Sequence, residues 1–245
     1  MSFRTLETRN GRPDTNCLSQ FFDFSRGLGV INNRGIFILR FFGVLLFLIT
    51  LQARATEIPA AVQSAVHARA DGGHKVQPPI IDAGPAMQGA YIYFVTNTSD
   101  EPGYTKDNRP YMLDAHLLFA DGNHVWHDEL FDRYVKDDGV PEISSVFFAN
   151  ADHDPKDKEI VILVRTPLNH YDYGGEYYDG YIYKLTGNAQ RGAVFAGLQS
   201  DASAPFLDQC ECGFRDGHST HAQYKDAESI RKALAKRYPV GPKSK

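Results

Sequence analysis

Seven short runs of β-branched, aromatic and other apolar residues lie between residues 90 and 198, and polar segments separate them. Such runs are typical of β-strands, and turn residues at short intervals favour antiparallel pairing. Asp121-Gly122-Asn123, between two of the runs, is a strong hairpin signal. The predicted strands are Ala90–Thr96, Tyr111–Ala120, His124–Phe131, Glu142–Ala149, Glu159–Thr166, Tyr177–Leu185 and Ala193–Leu198. The pattern therefore predicts a mainly β (α+β) fold, an antiparallel sheet or sandwich.

A helix is predicted on each side of these strands. Pro59 suits the first position of a short helix that runs to Val66, and a proline-rich segment from Lys75 to Pro85 follows as an extended linker. Asp226 can cap a helix over 227–238. We expect this C-terminal helix to cover the sheet. The predicted divisions are 1–55, leader; 56–89, helix and linker; 90–239, β-rich domain with its helix; and 240–245, tail.

An apolar run from Phe41 to Leu51 follows Arg34 and Arg40 and precedes Ala53-Arg54-Ala55. A charged region, a short apolar helix and a small-residue site are the parts of a secretory signal peptide, and the run is short for a permanent membrane span. We expect cleavage after Ala55 and a periplasmic or secreted domain. Because the region before the run is long, an uncleaved signal anchor or a later translation start stays open, and a transit peptide is the weaker alternative.

Charge divides at the predicted cleavage site. Residues 1–55 carry seven arginines and three acidic residues, whereas the remainder carries 19 basic and 27 acidic side chains, a net charge of −8. Nucleic acids and anionic lipids are bound mainly through clustered Lys and Arg, so an acidic domain is a poor candidate for either. We therefore predict no nucleic-acid partner, and a membrane association only if the leader is not removed.

An acidic loop joins two of the predicted strands. Asn150, Asp152 and Asp154 stand at alternating positions and Glu159 follows, which suits the oxygen ligands that Ca²⁺ prefers. Residues 147–163 resemble the FG-GAP or VCBS-type repeat, the calcium-loop blade of integrin-like propellers, and the resemblance implies a Ca²⁺ site on these four residues.

Two departures separate this loop from the repeat. Pro155 stands where the repeat has glycine, and one extra residue lies between Asp154 and Glu159. The resemblance covers one blade, and no internal repeat of fixed period is visible. The alternative interpretation is a solvated acidic hairpin loop.

Two cysteines and two histidines lie within twelve residues near the C-terminus. Cys210, Cys212, His218 and His221 supply four ligands that could complete a tetrahedral Zn²⁺ site, although the spacing differs from the common zinc frameworks. In an oxidising compartment a Cys210–Cys212 disulfide is the competing prediction.

Tyrosines are concentrated between residues 169 and 183. Tyr171, Tyr173, Tyr177 and Tyr178 are the predicted binding residues, because tyrosine offers a large amphipathic contact area at little entropic cost and also stacks on sugar rings. The alternative is that these rings only cover a sheet edge.

The sequence contains no G-x-S-x-G, H-E-x-x-H, P-loop or G-x-G-x-x-G motif, which lowers the expectation of an enzyme. We expect a non-enzymatic binding protein of the cell envelope, of the kind that inhibitors and immunity proteins represent, with a protein or glycan partner. The alternative is a metal-dependent envelope hydrolase that uses the acidic loop or the Cys/His group.

Overall fold

The computed structural model describes residues 57–69, 74–98, 111–136, 139–154 and 156–239. The predicted leader, signal-peptide helix and cleavage site, and the tail over 240–245, lie outside these residues. No helix within the described ranges is both long and apolar enough to cross a membrane.

In these ranges ten strands form two antiparallel sheets. Sheet 1 consists of β1 (Lys75–Asp82), β2 (Ala90–Thr98), β3 (Tyr111–Ala120) and β4 (Trp126–Val135), in that spatial order. Sheet 2 has the order β10-β9-β7-β6-β5, with β8 as a further partner of β7. Its strands are β5 (Glu142–Ala149), β6 (Glu159–Asn169), β7 (Tyr173–Asn188), β8 (Ala193–Leu198), β9 (Gln209–Phe214) and β10 (Ser219–Thr220).

The two sheets pack face to face and form a sandwich. Alternate side chains of each strand point to the same face of its sheet, so each sheet can turn one apolar face towards the other. Their inner faces share one hydrophobic core of almost fully buried side chains, among them Ile92, Phe94, Leu117 and Phe119 of sheet 1 and Ile160, Ile162 and Tyr183 of sheet 2. Burying each such side chain contributes about 1.5–3 kcal/mol. This core is therefore the main source of stability.

Each outer face of the sandwich packs against a helix. Helix α1 (Ala60–His67) packs Val62, Ala65 and Val66 on Tyr93, Val95 and Leu118 of sheet 1. Helix α3 (Ala227–Arg237) packs Ile230 and Leu234 on sheet 2, beside Phe206. The domain thus has four layers, helix, sheet, sheet, helix. The predicted mainly β fold with a covering C-terminal helix is confirmed.

The start of α3 lies where the sequence predicts it. The Asp226 carboxylate accepts a hydrogen bond from the Ser229 backbone N–H at 2.7 Å, which satisfies one of the donors that the first helical turn leaves unpaired. Ile230 and Leu234 are four residues apart and both are buried, so one face of the helix lies on the sheet.

The edge of β7 that faces away from β6 is divided between two strands. Residues 173–178 pair with β9 and residues 183–188 pair with β8. Between these two pairings, helix α2 (Ser200–Ser203) and the 3₁₀ turn that follows it at 204–206 cross the edge of β7. The Ser203 hydroxyl accepts a hydrogen bond from the Ile182 N–H at 3.0 Å. Phe206 lies directly on Gly180, where a Cβ would come within 2.8 Å of the Phe206 Cβ. Gly180 therefore makes room for this crossing.

Several strand bounds differ from the prediction, β4 for example spanning Trp126–Val135 instead of His124–Phe131, and two segments differ most. Lys75–Pro85, predicted as a linker, contains β1, which pairs with β2 although Pro78 and Pro79 lie within it and its register breaks between Gln77 and Ile81. Proline is tolerated there because β1 is an edge strand. Strand β7 begins at Tyr173 rather than Tyr177, since its first residues pair with the unpredicted strand β9.

Candidate functional site

Two turns meet at the end of sheet 2 where β7 begins. The β6–β7 turn is closed by the His170 N–H donating to the Tyr173 carbonyl at 3.0 Å, and the β9–β10 turn by the Phe214 N–H donating to the His218 carbonyl at 2.9 Å. The Arg215 N–H donates to the Asp172 carbonyl at 2.9 Å and joins the two turns. Backbone hydrogen bonds therefore fix the relative position of the side chains that both turns carry.

Four rings from these turns stand in contact, and we call His170, Tyr173, Phe214 and His218 the aromatic row. The ring centroids of His170 and Tyr173 are 4.9 Å apart, those of Tyr173 and Phe214 are 5.6 Å apart, and those of Phe214 and His218 are 4.0 Å apart. The contact at the centre follows from strand register, because Tyr173 of β7 lies opposite Phe214 of β9. The row is thus a product of pairing between segments about 40 residues apart.

Tyr171 lies in the β6–β7 turn, between His170 and Tyr173 in sequence. It is 77% exposed, more than any other large hydrophobic side chain in the described part of the chain. The Arg215 guanidinium lies over its ring, 4.4 Å from the centroid, in a cation–π contact. This contact holds the ring in place without removing it from solvent.

Carboxylates stand at both ends of the row. Asp172 lies 4.0 Å from the His170 imidazole, and the Asp216 carboxylate contacts the His218 imidazole. The His218 backbone N–H, followed by its imidazole, lowers the pKa of Asp216 below its ordinary value. The surface therefore combines apolar ring faces with hydrogen-bond acceptors at its rim.

The structure separates the four predicted tyrosines. Tyr171 and Tyr173 belong to the surface just described, whereas Tyr178 is 8% exposed and packs in the core beneath α3. Tyr178 donates to Glu176, and burial followed by this hydrogen bond raises the pKa of Tyr178 to about 12. The Lys136 ammonium lies 4.9 Å from the Tyr177 ring centroid. Sequence reasoning missed Phe214 and Arg215, for which the only local signal is the turn-forming Asp216-Gly217 that follows them.

The acidic loop is at the opposite end of β7, and its carboxylates contact groups of this chain. Glu159 is only 1% exposed and accepts the Ala151 N–H at 2.7 Å. The Lys184 ammonium of β7 contacts Asp152 and lies 3.8 Å from Glu159. Asp152 also accepts the Asp154 N–H at 2.6 Å. A protein cation thus stands between two of the predicted calcium ligands.

Burial and charge act differently on these two carboxylates. Burial, together with repulsion by the Asp152 charge, raises the pKa of Glu159. Burial opposes ionisation of Asp152 as well, but the Lys184 ammonium and the Asp154 N–H lower its pKa below the ordinary value. The Asn150 Oδ1 and the Glu159 Oε1 are buried without a hydrogen-bond partner among the described residues. The predicted Ca²⁺ site stays a prediction.

Cys210 and Cys212 form a disulfide within β9, with their Cα atoms 5.3 Å apart. The two predicted histidine ligands contact carboxylates instead, His218 that of Asp216 and His221 that of Glu211, the latter at 2.9 Å. Zinc binds the thiolate form of cysteine, so a Zn²⁺ site at these positions requires the reduced pair. In the described ranges no three His, Cys, Asp or Glu side chains are grouped as a metal site.

No protein-family model, curated protein or solved structure matches this chain.

Proposed function

We propose that this chain is a non-enzymatic binding protein of the cell envelope, periplasmic or secreted, and that the aromatic row with Tyr171 and Arg215 is its recognition surface. The observation that supports this most directly is the exposed Tyr171 ring, held by Arg215 beside four rings in mutual contact. The class of binding protein that we propose is that of the inhibitors and immunity proteins of the cell envelope.

The arrangement suits recognition because the ring side chains have little conformational freedom to lose when a ligand binds. Each turn is closed by a backbone hydrogen bond and a third joins the two turns, so the rings are positioned before any partner arrives. Aromatic and arginine side chains are the residues that most often dominate binding energies, and preordered ones lose little entropy on binding. Packing alone does not explain Tyr171, since most of its ring faces solvent.

The partner that we propose is a protein or a glycan. Ring faces can stack on the apolar faces of sugars, and Asp172 and Asp216 can accept hydrogen bonds from hydroxyl or amide groups. For a protein partner, the net charge of −8 after residue 55 favours a basic surface, because complementary charge accelerates association. A basic envelope hydrolase is such a partner.

Capture from an envelope extract tests the proposal. The domain is immobilised as wild type, as Tyr171→Ala with Arg215→Ala, and as Tyr171→Ala with Tyr173→Ala. Phe195→Ala is the matched control, because Phe195 is a 64% exposed ring on β8, outside the aromatic row. We expect both double variants to retain less than about a tenth of the captured partner, corresponding to a loss of more than about 1.4 kcal/mol.

The control and both double variants must melt like the wild type, so that a loss of capture reports the surface and not unfolding. Equal capture by wild type and by the Tyr171→Ala, Arg215→Ala variant would contradict the proposed surface. Capture that falls equally with Phe195→Ala would show that exposed rings bind without specificity, which also contradicts it.

A further inference from the structure

A groove runs beside α3, away from the aromatic row. It holds about 550 Å³, within the range typical of ligand sites. Its apolar part includes Phe206 and Tyr224, which meet edge to face with centroids 4.9 Å apart, and Ala233 of α3. Phe206 is buried and rests on sheet 2, so this part of the groove belongs to the rigid core of the domain.

The helix side of the groove carries positive charge. Lys232 and Ala233 lie three and four residues after Ser229 and four and three residues before Lys236, which places all four on one face of α3, where they line the groove. Arg237 completes the lining, with its guanidinium 5.4 Å from the Tyr238 ring centroid. The three cationic side chains are exposed.

These cations have no carboxylate partners within the described part of the domain. Neither Lys232, Lys236 nor Arg237 forms an ion pair with any residue that the structure describes. Glu228 and Lys232 have the i, i+4 spacing that favours an ion pair on a helix, yet these two described side chains do not form one. Lys236 and Arg237 also complement the helix dipole, being in the last turn, but Lys232 lies in the middle of α3.

We propose that this groove binds an acidic peptide segment of a partner protein, with an apolar side chain on Phe206 and Tyr224 and carboxylates against Lys232 and Lys236. Charge complementarity carries the argument, because three cationic side chains without carboxylate partners among the described residues line this one groove. The site is separate from the aromatic row and does not rest on the function proposed for it.

A peptide fits this charge distribution better than an anionic membrane does. Charges act over about 8 Å at physiological salt, so a short peptide in the groove responds mainly to the three cations beside it. A membrane surface is extended and meets the whole acidic domain, which it repels. The groove is also bounded, and its volume suits a few side chains rather than a lipid surface.

The test uses fluorescence anisotropy with a labelled peptide in which aspartate and glutamate alternate with phenylalanine and leucine. A second peptide replaces each acidic residue with lysine. The protein variants are Lys232→Glu with Lys236→Glu and, as a control with the same change in net charge, Lys156→Glu with Arg191→Glu, two exposed residues outside the groove. Ile230 and Leu234 are unchanged in all of them, and thermal melts verify folding.

We expect the acidic peptide to bind the wild type and the control variant in a saturable, salt-sensitive manner. The Lys232→Glu, Lys236→Glu variant should bind it at least about tenfold more weakly, and the lysine peptide should not bind. Absence of saturable binding to the wild type would overturn the proposal, as would equal affinity for the two variants. Sedimentation with phosphatidylglycerol vesicles but no peptide binding would assign the groove to membranes instead and overturn it too.

Discussion

The two ends of strand β7 use their polar and aromatic side chains in opposite ways. At the C-terminal end, Lys184 contacts Asp152 and lies 3.8 Å from the buried Glu159, so two carboxylates of the acidic loop face a cation of the domain itself. At the N-terminal end, Tyr173 belongs to a row of rings, and the exposed Tyr171 ring stands in the same turn under the Arg215 guanidinium. The segment richer in charge is thus the more self-contained one, and the segment richer in rings is the one left available to a partner.

The largest effect is expected at the charged end. Glu159→Ala removes a buried acceptor and leaves the Ala151 N–H without its partner, so we expect the free energy of unfolding to fall by about 3 kcal/mol. Tyr171→Ala at the other end should change it by less than about 0.5 kcal/mol. Urea denaturation of the two variants measures the difference, and Asp157→Ala, an exposed residue of the same loop, is the control. Similar values for Glu159→Ala and Tyr171→Ala would break the comparison.

A smaller loss is expected when the disulfide below the aromatic row is removed. Because the ring closed by Cys210 and Cys212 is very short, the chain-entropy contribution is only about 1.5 kcal/mol. Cys210→Ser with Cys212→Ser should therefore lower the free energy of unfolding by about that amount, measured by urea denaturation without reductant. The wild type under reductant should behave like the variant. Stoichiometric zinc in the purified wild type, together with protected thiols, would refute the disulfide and favour the predicted zinc site.

Calcium binding tests whether the Lys184 ammonium takes the place of a cation at the C-terminal end of β7. Lys184→Ala removes the ammonium that stands between Asp152 and Glu159, so the carboxylates become free to bind another cation. We expect calcium to raise the melting temperature of this variant by about 3 °C more than that of the wild type, which corresponds to about 1 kcal/mol. Asp152→Ala in the same background should abolish the difference. Equal shifts with and without Lys184 would show that the ammonium does not occupy the cation position.

The smallest effect is a pH dependence on β9. The Lys225 ammonium, followed by the His221 imidazole, lowers the pKa of Glu211 to about 2, so Glu211 stabilises the fold above its unfolded pKa of about 4.5. This contribution is lost as the pH falls from about 4.5 towards 2. We therefore expect Glu211→Gln to have a lower free energy of unfolding than the wild type at pH 6, and the difference to disappear on acidification. Urea denaturation of both proteins at each pH measures this difference. A gap that widens with acid would reverse the sign and refute the assignment.

Local patterns predict the elements that local interactions form. Helix α3 follows from a capping aspartate, Ile230 and Leu234 at helical spacing, and Pro239 after its end. Strand β1 escapes such patterns because its prolines have no amide donors, and only the pairing with β2 holds it in the sheet. Strand β9 has no β-branched residue and is likewise defined by its partner, β7.

The same distinction applies to the candidate site. Tyr171 and Tyr173 can be predicted from a dense run of tyrosines, but Phe214 and Arg215 become neighbours of that run only through the register of β7 and β9. Burial is equally non-local, and it assigns Tyr178 to the core although Tyr178 and Tyr171 look alike in sequence. The contact of Lys184 with the acidic loop depends on strand pairing for the same reason, since the register of β6 and β7 brings its side chain to Asp152.

The prolines of β1 also bear on how copies of this domain meet. An open sheet presents unpaired backbone groups at its edges, and a second molecule can add a strand there and begin a chain of association. Pro78 and Pro79 offer no amide hydrogens, and the register break between Gln77 and Ile81 interrupts the remaining ladder. Edge-to-edge growth of sheet 1 through β1 is therefore blocked, and the domain can keep an open sandwich at high concentration without this edge seeding aggregates.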